Sequence, residues 1–189
     1  MEHAIIISGS QKANALLTEL LHAASIDNIT IQTNAGNARR LLVNKQFDIC
    51  IINAPLLDET GEELALDIIV QGCTEVLLLV KSEHYEEISH RMEQEGVMTL
   101  PKPFSKQLLW NTIKLANATH NRIIRIQKER SKLLQKMEDI RIIDRAKCLL
   151  ISNFSMQEQE AHRYIEKTAM DMRMTKREVA EEVLRLYEE

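Results

Sequence analysis

The chain has 189 residues, 44% of them hydrophobic, with 24 Lys/Arg against 28 Asp/Glu and a formal charge of −4. That length and balance suit one globular domain with a smaller appendage and exclude a disordered or low-complexity chain. Five Gly and three Pro are too few for a turn-rich all-β fold, and the uncharged runs, such as Ile49–Leu57, are too short to cross a bilayer.

The first 105 residues alternate between strand-length apolar runs and helical patterns. Ala4–Ile7 reads as a strand and Ala13–Ala24 as a helix. Ile29–Gln32 alternates like a half-buried strand, and Asn37–Asn44 is helical. Phe47–Ile52 is a continuous apolar run, as in a strand buried on both faces. Glu63–Val70 is helical, Val76–Val80 is another buried strand, and Tyr85–Gln94 is a polar amphipathic helix. Val97–Leu100 is a short fifth strand ended by Pro101. Repeated strand–helix units with short connections give a doubly wound, mainly parallel, flavodoxin-like (βα)5 domain. It spans residues 1–106.

From Ser105 to about Ser152 there is neither Pro nor Gly. Apolar residues recur at Leu109, Ala116, Ile123 and Met137, and at Ile126, Leu133 and Ile140. Two series of period seven offset by three make a heptad seam, interrupted by Arg130 and Asp144. A helix of nearly fifty residues spans about 70 Å at 1.5 Å per residue. It cannot bury all its apolar side on so small a domain. The pattern predicts a parallel coiled-coil homodimer through residues 107–140. The alternative is a break near Asn117–Asn121 and a hairpin.

Residues 141–189 read as an all-α three-helix domain. Ser155 and Glu158 have capping-box spacing for its second helix, which runs to about Met172 with Ala161, Ile165, Ala169 and Met172 on one face. Thr175 and Glu178 have the same spacing for the last helix, whose inner face is Val179, Val183 and Leu186. Residues 122–147 carry nine basic and four acidic residues. Such a segment is either a solvated face or a source of phosphate contacts. Cys50, Cys73 and Cys148 are odd in number and unrelated in spacing, which predicts reduced, mostly buried thiols in a cytoplasmic protein. MEHAIIISGS lacks a basic n-region and a cleavage site, so no secretion signal is read there. No His/Cys/Asp constellation, Gly-rich phosphate loop or metal spacing appears, so the reading is not an enzyme, and no cofactor or metal is expected.

The strand order, the Gly61 turn after the third strand and Leu100-Pro101-Lys102-Pro103-Phe104 after the fifth resemble a response-regulator receiver domain. The resemblance implies that Lys102 stands where a receiver lysine contacts a phosphoryl group. The rest of that chemistry is missing. Autophosphorylation needs a carboxylate nucleophile ending the third strand and acids after the first strand to hold Mg²⁺. Here those places hold Asn53 and Ser8-Gly9-Ser10, and the hydroxyl expected after the fourth strand falls on Val80. Asp58 and Glu59 come about five residues late and read as solvated loop acids. The domain is a pseudo-receiver, serving as a scaffold or docking surface.

Ile143-Asp144-Arg145-Ala146-Lys147-Cys148-Leu149-Leu150, Ser155-Met156-Gln157-Glu158-Gln159-Glu160-Ala161, Ala169-Met170-Asp171 and Glu178-Val179-Ala180 resemble the ANTAR domain of transcription antitermination regulators, with Cys148 where that family usually has Gly. The resemblance implies a dimer that binds paired hairpins in nascent leader RNA and stops an overlapping terminator from forming. The lost phosphorylation site resembles the amidase-type regulators, whose silent receiver is held in check by a ligand-sensing partner protein. No membrane partner is expected. Helical phase turns Ala146, Leu150, Ala161, Ile165, Ala169, Val179 and Val183 inward. It turns Arg141, Arg145, Arg163, Lys167, Arg173, Lys176 and Arg177 outward, as candidate RNA contacts. Tyr164 reads as a stacking residue or a core-edge residue, Lys147 as a coiled-coil or rim contact before an RNA contact, and His162 as a surface residue before a specific contact. The competing readings are a protein-interaction adaptor and a DNA-binding response regulator.

Overall fold

The computed structural model describes residues 1–72 and 74–187. They form two units, Met1–Arg125 and Ile126–Glu189.

In the first unit, β1 (His3–Ile7), β2 (Asn28–Gln32), β3 (Ile49–Asn53), β4 (Glu75–Lys81) and β5 (Met98–Lys102) make one parallel sheet in the order β2-β1-β3-β4-β5. The continuous apolar runs are explained by helices on both faces. Ile5, Ile7, Cys50, Ile52, Leu78 and Val80 pack under α2 (Ala35–Leu42), α3 (Glu62–Gln71) and α4 (Tyr85–Gln94). The alternate residues Ala4, Ile6, Ile49, Ile51, Leu77 and Leu79 pack under α1 (Gln11–Ala23) and the start of α5 (Lys106–Phe154). The period of two divides each strand between two cores.

β5 runs on through Pro101, which the sequence places at its end. It is an edge strand paired only with β4, so a residue without an N–H is tolerated there. Gly61 caps α3 with φ of 93°, and a Cβ there would stand 3.0 Å from Ile52. Glycine is required on both counts.

Two expectations about the β3–α3 loop are corrected. Asp58 and Glu59 are not free solvated acids. The Asp58 carboxylate accepts the backbone N–H groups of Ala35 at 2.9 Å and Gly36 at 3.0 Å, the unpaired donors at the start of α2. Glu59 takes Arg39 bidentately, at 2.6 and 3.3 Å, and Arg39 Nε also reaches Asp67 at 3.0 Å. Both loop acids are tied to α2, an attachment that local sequence does not reveal.

α5 is continuous from Lys106 to Phe154, with no hairpin at Asn117–Asn121. Leu109 and Ala116, two members of the proposed seam, are instead fully buried on the sheet together with Ile113. Burying a Leu or Ile contributes about 1.5–3 kcal/mol, so the first turns of α5 belong to the first unit. Ile126, Leu133, Met137 and Ile140 are more than half exposed.

In the second unit the end of α5 packs with α6 (Glu158–Met172) and α7 (Lys176–Tyr187). Their core contains Ala146, Leu150, Ala161, Ile165, Ala169, Val179 and Val183, as helical phase requires, and also Ala180. Met172 and Leu186, expected on inner faces, are exposed in the terminal turns of their helices. The cap of α6 also shifts. Ser155 has φ of 54°, which ends α5, while Gln157 is the N-cap and forms the capping box with Glu160. An N-cap needs extended backbone, which Ser155 lacks. Thr175 and Glu178 do form the expected reciprocal cap: Thr175 N donates to Glu178 at 2.6 Å and Glu178 N to Thr175 Oγ1 at 3.2 Å. Cys50 is buried, but Cys148 is exposed, contrary to expectation, because its position on α5 faces away from the three-helix core. Cys73 lies outside the described residues.

The N–H groups of Ala35 and Gly36 hold the Asp58 carboxyl below its ordinary value of 3.8. A depressed carboxyl adds stability that is present above the unfolded value and lost as pH falls through the folded one. Asp58→Asn should therefore lower the melting temperature at pH 7, with the gap to the parent closing as pH falls below the ordinary carboxyl value of 3.8. Thermal melts across pH 2–7 measure it; a gap that stays constant with pH refutes the cap.

Candidate nucleic-acid interface and the altered receiver site

The carboxyl ends of β1, β3 and β5 lie along one edge of the sheet, where open α/β sheets place their functional loops. Ser8 follows β1, Asn53 ends β3 and Lys102 ends β5. The Lys102 ammonium donates to Asn53 Oδ1 at 2.9 Å and to the Ala54 carbonyl. Asn53 Nδ2 donates to Ser8 Oγ at 3.0 Å, and Ser10 N donates to the same hydroxyl at 3.1 Å. Burial, and then the charge of Lys81, hold Lys102 below the usual lysine range.

Every acceptor in this network is neutral. Asn53 and Lys102 meet, as the receiver resemblance implies, but through an amide. A receiver would hold Mg²⁺ here, and the residues do not fit it. Ser8, Gly9 and Ser10 offer no carboxylate, and Asp58 is committed to α2. Leu57 lies over Gly9, its Cγ 3.3 Å from where a Cβ would stand. The part played by Ser8 was not visible in the sequence, where it registered only as a missing acid.

In the second unit the seven candidate cations divide by what surrounds them. Arg177 is half-buried, not outward, because α7 sets it between two carboxylates: Nη1 meets Asp139 at 2.8 Å and Nε meets Glu181 at 2.7 Å. Arg177 is raised by Asp139 first, and Asp139 is lowered by Arg177 first. Lys176 is paired with Glu166, which His162 also approaches at 3.2 Å. Arg141 is 80% exposed, with Glu138 only at 4.0 Å. Arg145 is exposed and also engaged. Lys147 is a rim contact, held by Asp144 at 2.8 Å and Glu158 at 3.5 Å.

Arg163, Lys167 and Arg173 are exposed and make no ion pair among the described residues. Arg163 and Lys167 are i,i+4 neighbours on the outer face of α6. Met170, three residues further on, is 79% exposed, and Tyr164 is also exposed. Arg173 ends the helix with φ of 54°. Its N–H reaches Met170 O at 3.4 Å and the N–H of Met174 reaches Ala169 O at 3.0 Å. That is a Schellman turn with an arginine where glycine is the usual choice.

Comparison with known proteins agrees with this division. Residues 131–184 match the family model of the ANTAR domain. The transcriptional regulatory protein PdtaR of Mycobacterium tuberculosis is 28% identical over 168 residues, covering 89% of this chain and 82% of that protein. The CheY-like receiver domain of Methanospirillum hungatei superposes with a TM-score of 0.58 at 16% identity, over 65% of this chain and 98% of that one. The signal receiver domain of an HD-domain protein from Pseudomonas fluorescens Pf-5 superposes with a TM-score of 0.56 at 20% identity, over 64% and 89%. The chain thus joins a unit of receiver fold to a stretch, residues 131–184, that matches the ANTAR domain.

Proposed function

We propose that the chain is a transcription antitermination regulator. It binds hairpins of nascent leader RNA as a dimer, prevents a terminator from forming, and is not controlled by aspartyl phosphorylation. The observation that carries the RNA reading is the set of three exposed cations, Arg163 and Lys167 on α6 and Arg173 at its C-terminal end, which make no ion pair among the described residues of an ANTAR-matched unit. Hairpin loops present unpaired bases and closely spaced phosphates. Arginine and lysine free of carboxylates meet phosphate without first breaking an ion pair. Arg141 and Arg145 extend the basic surface along α5. Lys176 and Arg177 join it only by exchanging Glu166, Asp139 and Glu181 for phosphate. The silent receiver is itself a docking surface for a ligand-sensing regulatory protein.

Arg173 allows affinity to be separated from stability. A left-handed residue other than glycine costs about 1–2 kcal/mol. Arg173→Gly should raise the melting temperature while weakening RNA binding. Removing a phosphate-binding side chain at Arg163, Lys167 or Arg173 should flatten the log–log salt dependence by about 0.7–0.9 per position. Binding of a two-hairpin RNA, with duplex DNA as comparator, checks this across a salt series. Unchanged slope in a folded Arg163→Ala/Lys167→Ala/Arg173→Gly variant rules out the α6 surface, and equal binding of duplex DNA rules out the RNA reading.

Dimerisation is supported by the exposed apolar side of α5 at Ile126, Leu133, Met137 and Ile140. With Leu109 and Ala116 occupied on the sheet, the parallel seam runs from about Ile123 onward. Sedimentation at micromolar concentration should give about twice 21.8 kDa. Leu133→Glu/Ile140→Glu should give the single-chain mass, and a parent that is already monomeric excludes the seam.

The third expectation concerns phosphate. A carboxamide cannot form an acyl phosphate, and no acid follows β1 to hold Mg²⁺. Incubation with a small phosphodonor and Mg²⁺ should leave the intact mass unchanged, for the parent and for Asn53→Asp alike. A phosphoryl adduct on the parent would contradict the silent-receiver reading; one on Asn53→Asp alone would show that Ser8-Gly9-Ser10 suffices for the metal.

A further inference from the structure

We infer that the receiver-fold unit binds a small organic carboxylate in the cavity between the β3–α3 loop and the start of α4. The inference is independent of the RNA reading. The cavity holds about 210 Å³. With about 30 Å³ per water in the liquid, that is room for a short-chain acid and nothing larger than a small ring. Ala54, Pro55, Val80 and Ile88 form apolar walls, while Thr60, Lys81 and His84 stand at the rim. An apolar enclosure with a few convergent polar groups is the usual build of a small-molecule site.

Charge selects an anion. Lys81 and Lys102 are register partners across β4 and β5. An ammonium carries three donors, and Lys102 commits two of them to neutral oxygens, Asn53 Oδ1 and Ala54 O. Lys81 makes no ion pair among the described residues. Three nearby acids are engaged elsewhere: Asp58 and Glu59 of the loop with the α2 N–H groups and with Arg39, and Glu62 at the start of α3 with Arg91. Glu62 lines the cavity, but Arg91 cancels its charge. Two lysines are thus left beside an apolar cavity with no carboxylate assigned to them. The mutual repulsion is felt, since Lys81 is the second cause, after burial, of the lowered Lys102.

A carboxylate at the rim against Lys81, with Thr60 and His84 as hydrogen-bonding neighbours, relieves this imbalance. Its hydrocarbon tail then covers Val80 and Ile88. Val80 stands where the receiver resemblance expects a hydroxyl, so the same change that removes a phosphoryl contact supplies an apolar wall.

Calorimetric titration of the full chain with sodium butyrate tests this, with butyramide and inorganic phosphate as comparators. Saturable binding of butyrate at one site per chain is expected, with butyramide and phosphate each about tenfold or more weaker. Phosphate carries charge without a tail, and butyramide carries a tail without charge. Lys81→Met should weaken butyrate by about tenfold or more with the circular dichroism unchanged, and Lys81→Arg should retain it. Lys81 is exposed, so neither variant threatens the fold. Absence of saturable butyrate binding overturns the inference. So does equal binding of either comparator, or full affinity in Lys81→Met.

Discussion

An apolar side chain buried on the sheet cannot also line a seam between chains, and this exclusion governs α5. Its first turns give Leu109, Ile113 and Ala116 to the sheet, where they complete the core beneath β1, β3 and β4. Without them the part of that face not covered by Leu17, Leu20 and Leu21 of α1 would be open to water. Only beyond Ile123 are the helix's apolar residues exposed in number. The heptad pattern of the sequence is therefore, on the proposed dimer, two structural signals joined end to end. A helix facing a sheet and a helix facing another helix both place apolar residues at spacings of three and four. Periodicity cannot mark where the first use stops.

The same sheet positions the altered receiver site. Parallel strands of similar length bring Ser8, Asn53 and Lys102 to one edge, whatever chemistry those residues then support. Replacing a carboxylate by an amide keeps the hydrogen bonds and removes the charge. Asn53 still accepts from Lys102 and donates to Ser8, so the edge stays ordered without a carboxylate at the end of β3. The remaining acids of the loop serve structure. Asp58 satisfies two donors at the start of α2, and Glu59 anchors Arg39 beside it. A loop that in a phosphorylatable receiver would lie close to a charged centre is here bound to a helix terminus.

The doubly wound parallel sheet, the outer boundaries of α5 to within two residues and most of the inward face of the three-helix unit, Met172 and Leu186 excepted, were legible in the sequence. They follow from period, caps and strand order, which are local or nearly so. What depends on distant parts of the chain was not legible. The β5 strand passes through Pro101 because it is an edge, and edge status is a property of the whole sheet. The cap of α6 moves from Ser155 to Gln157 because Ser155 adopts a left-handed backbone, and nothing in its residue type requires that. The partners of Lys176 and Arg177 come from Glu166 and Asp139, which are 10 and 38 residues away in the chain. Helical phase could not say which carboxylates of other helices lay beside either cation.

That last difference sharpens the reading of the basic surface. Counting lysines and arginines treats seven candidates alike, yet a cation already paired must exchange one anion for another and adds little net attraction. The unpaired ones gain the whole interaction. Arg173 adds a second argument. It occupies a left-handed turn where glycine would cost less backbone strain, so its side chain is carried there against a local preference. In a dimer each weak surface is used twice, and the second hairpin binds at the effective concentration set by the first, with gains of about 10²–10⁴ over a single site. A few unpaired cations per ANTAR domain are then enough, provided the chains stay associated. On the proposed reading, with the receiver edge silent toward phosphate, a ligand could regulate the chain only by shifting that association, and only by the difference in its affinity for the two states.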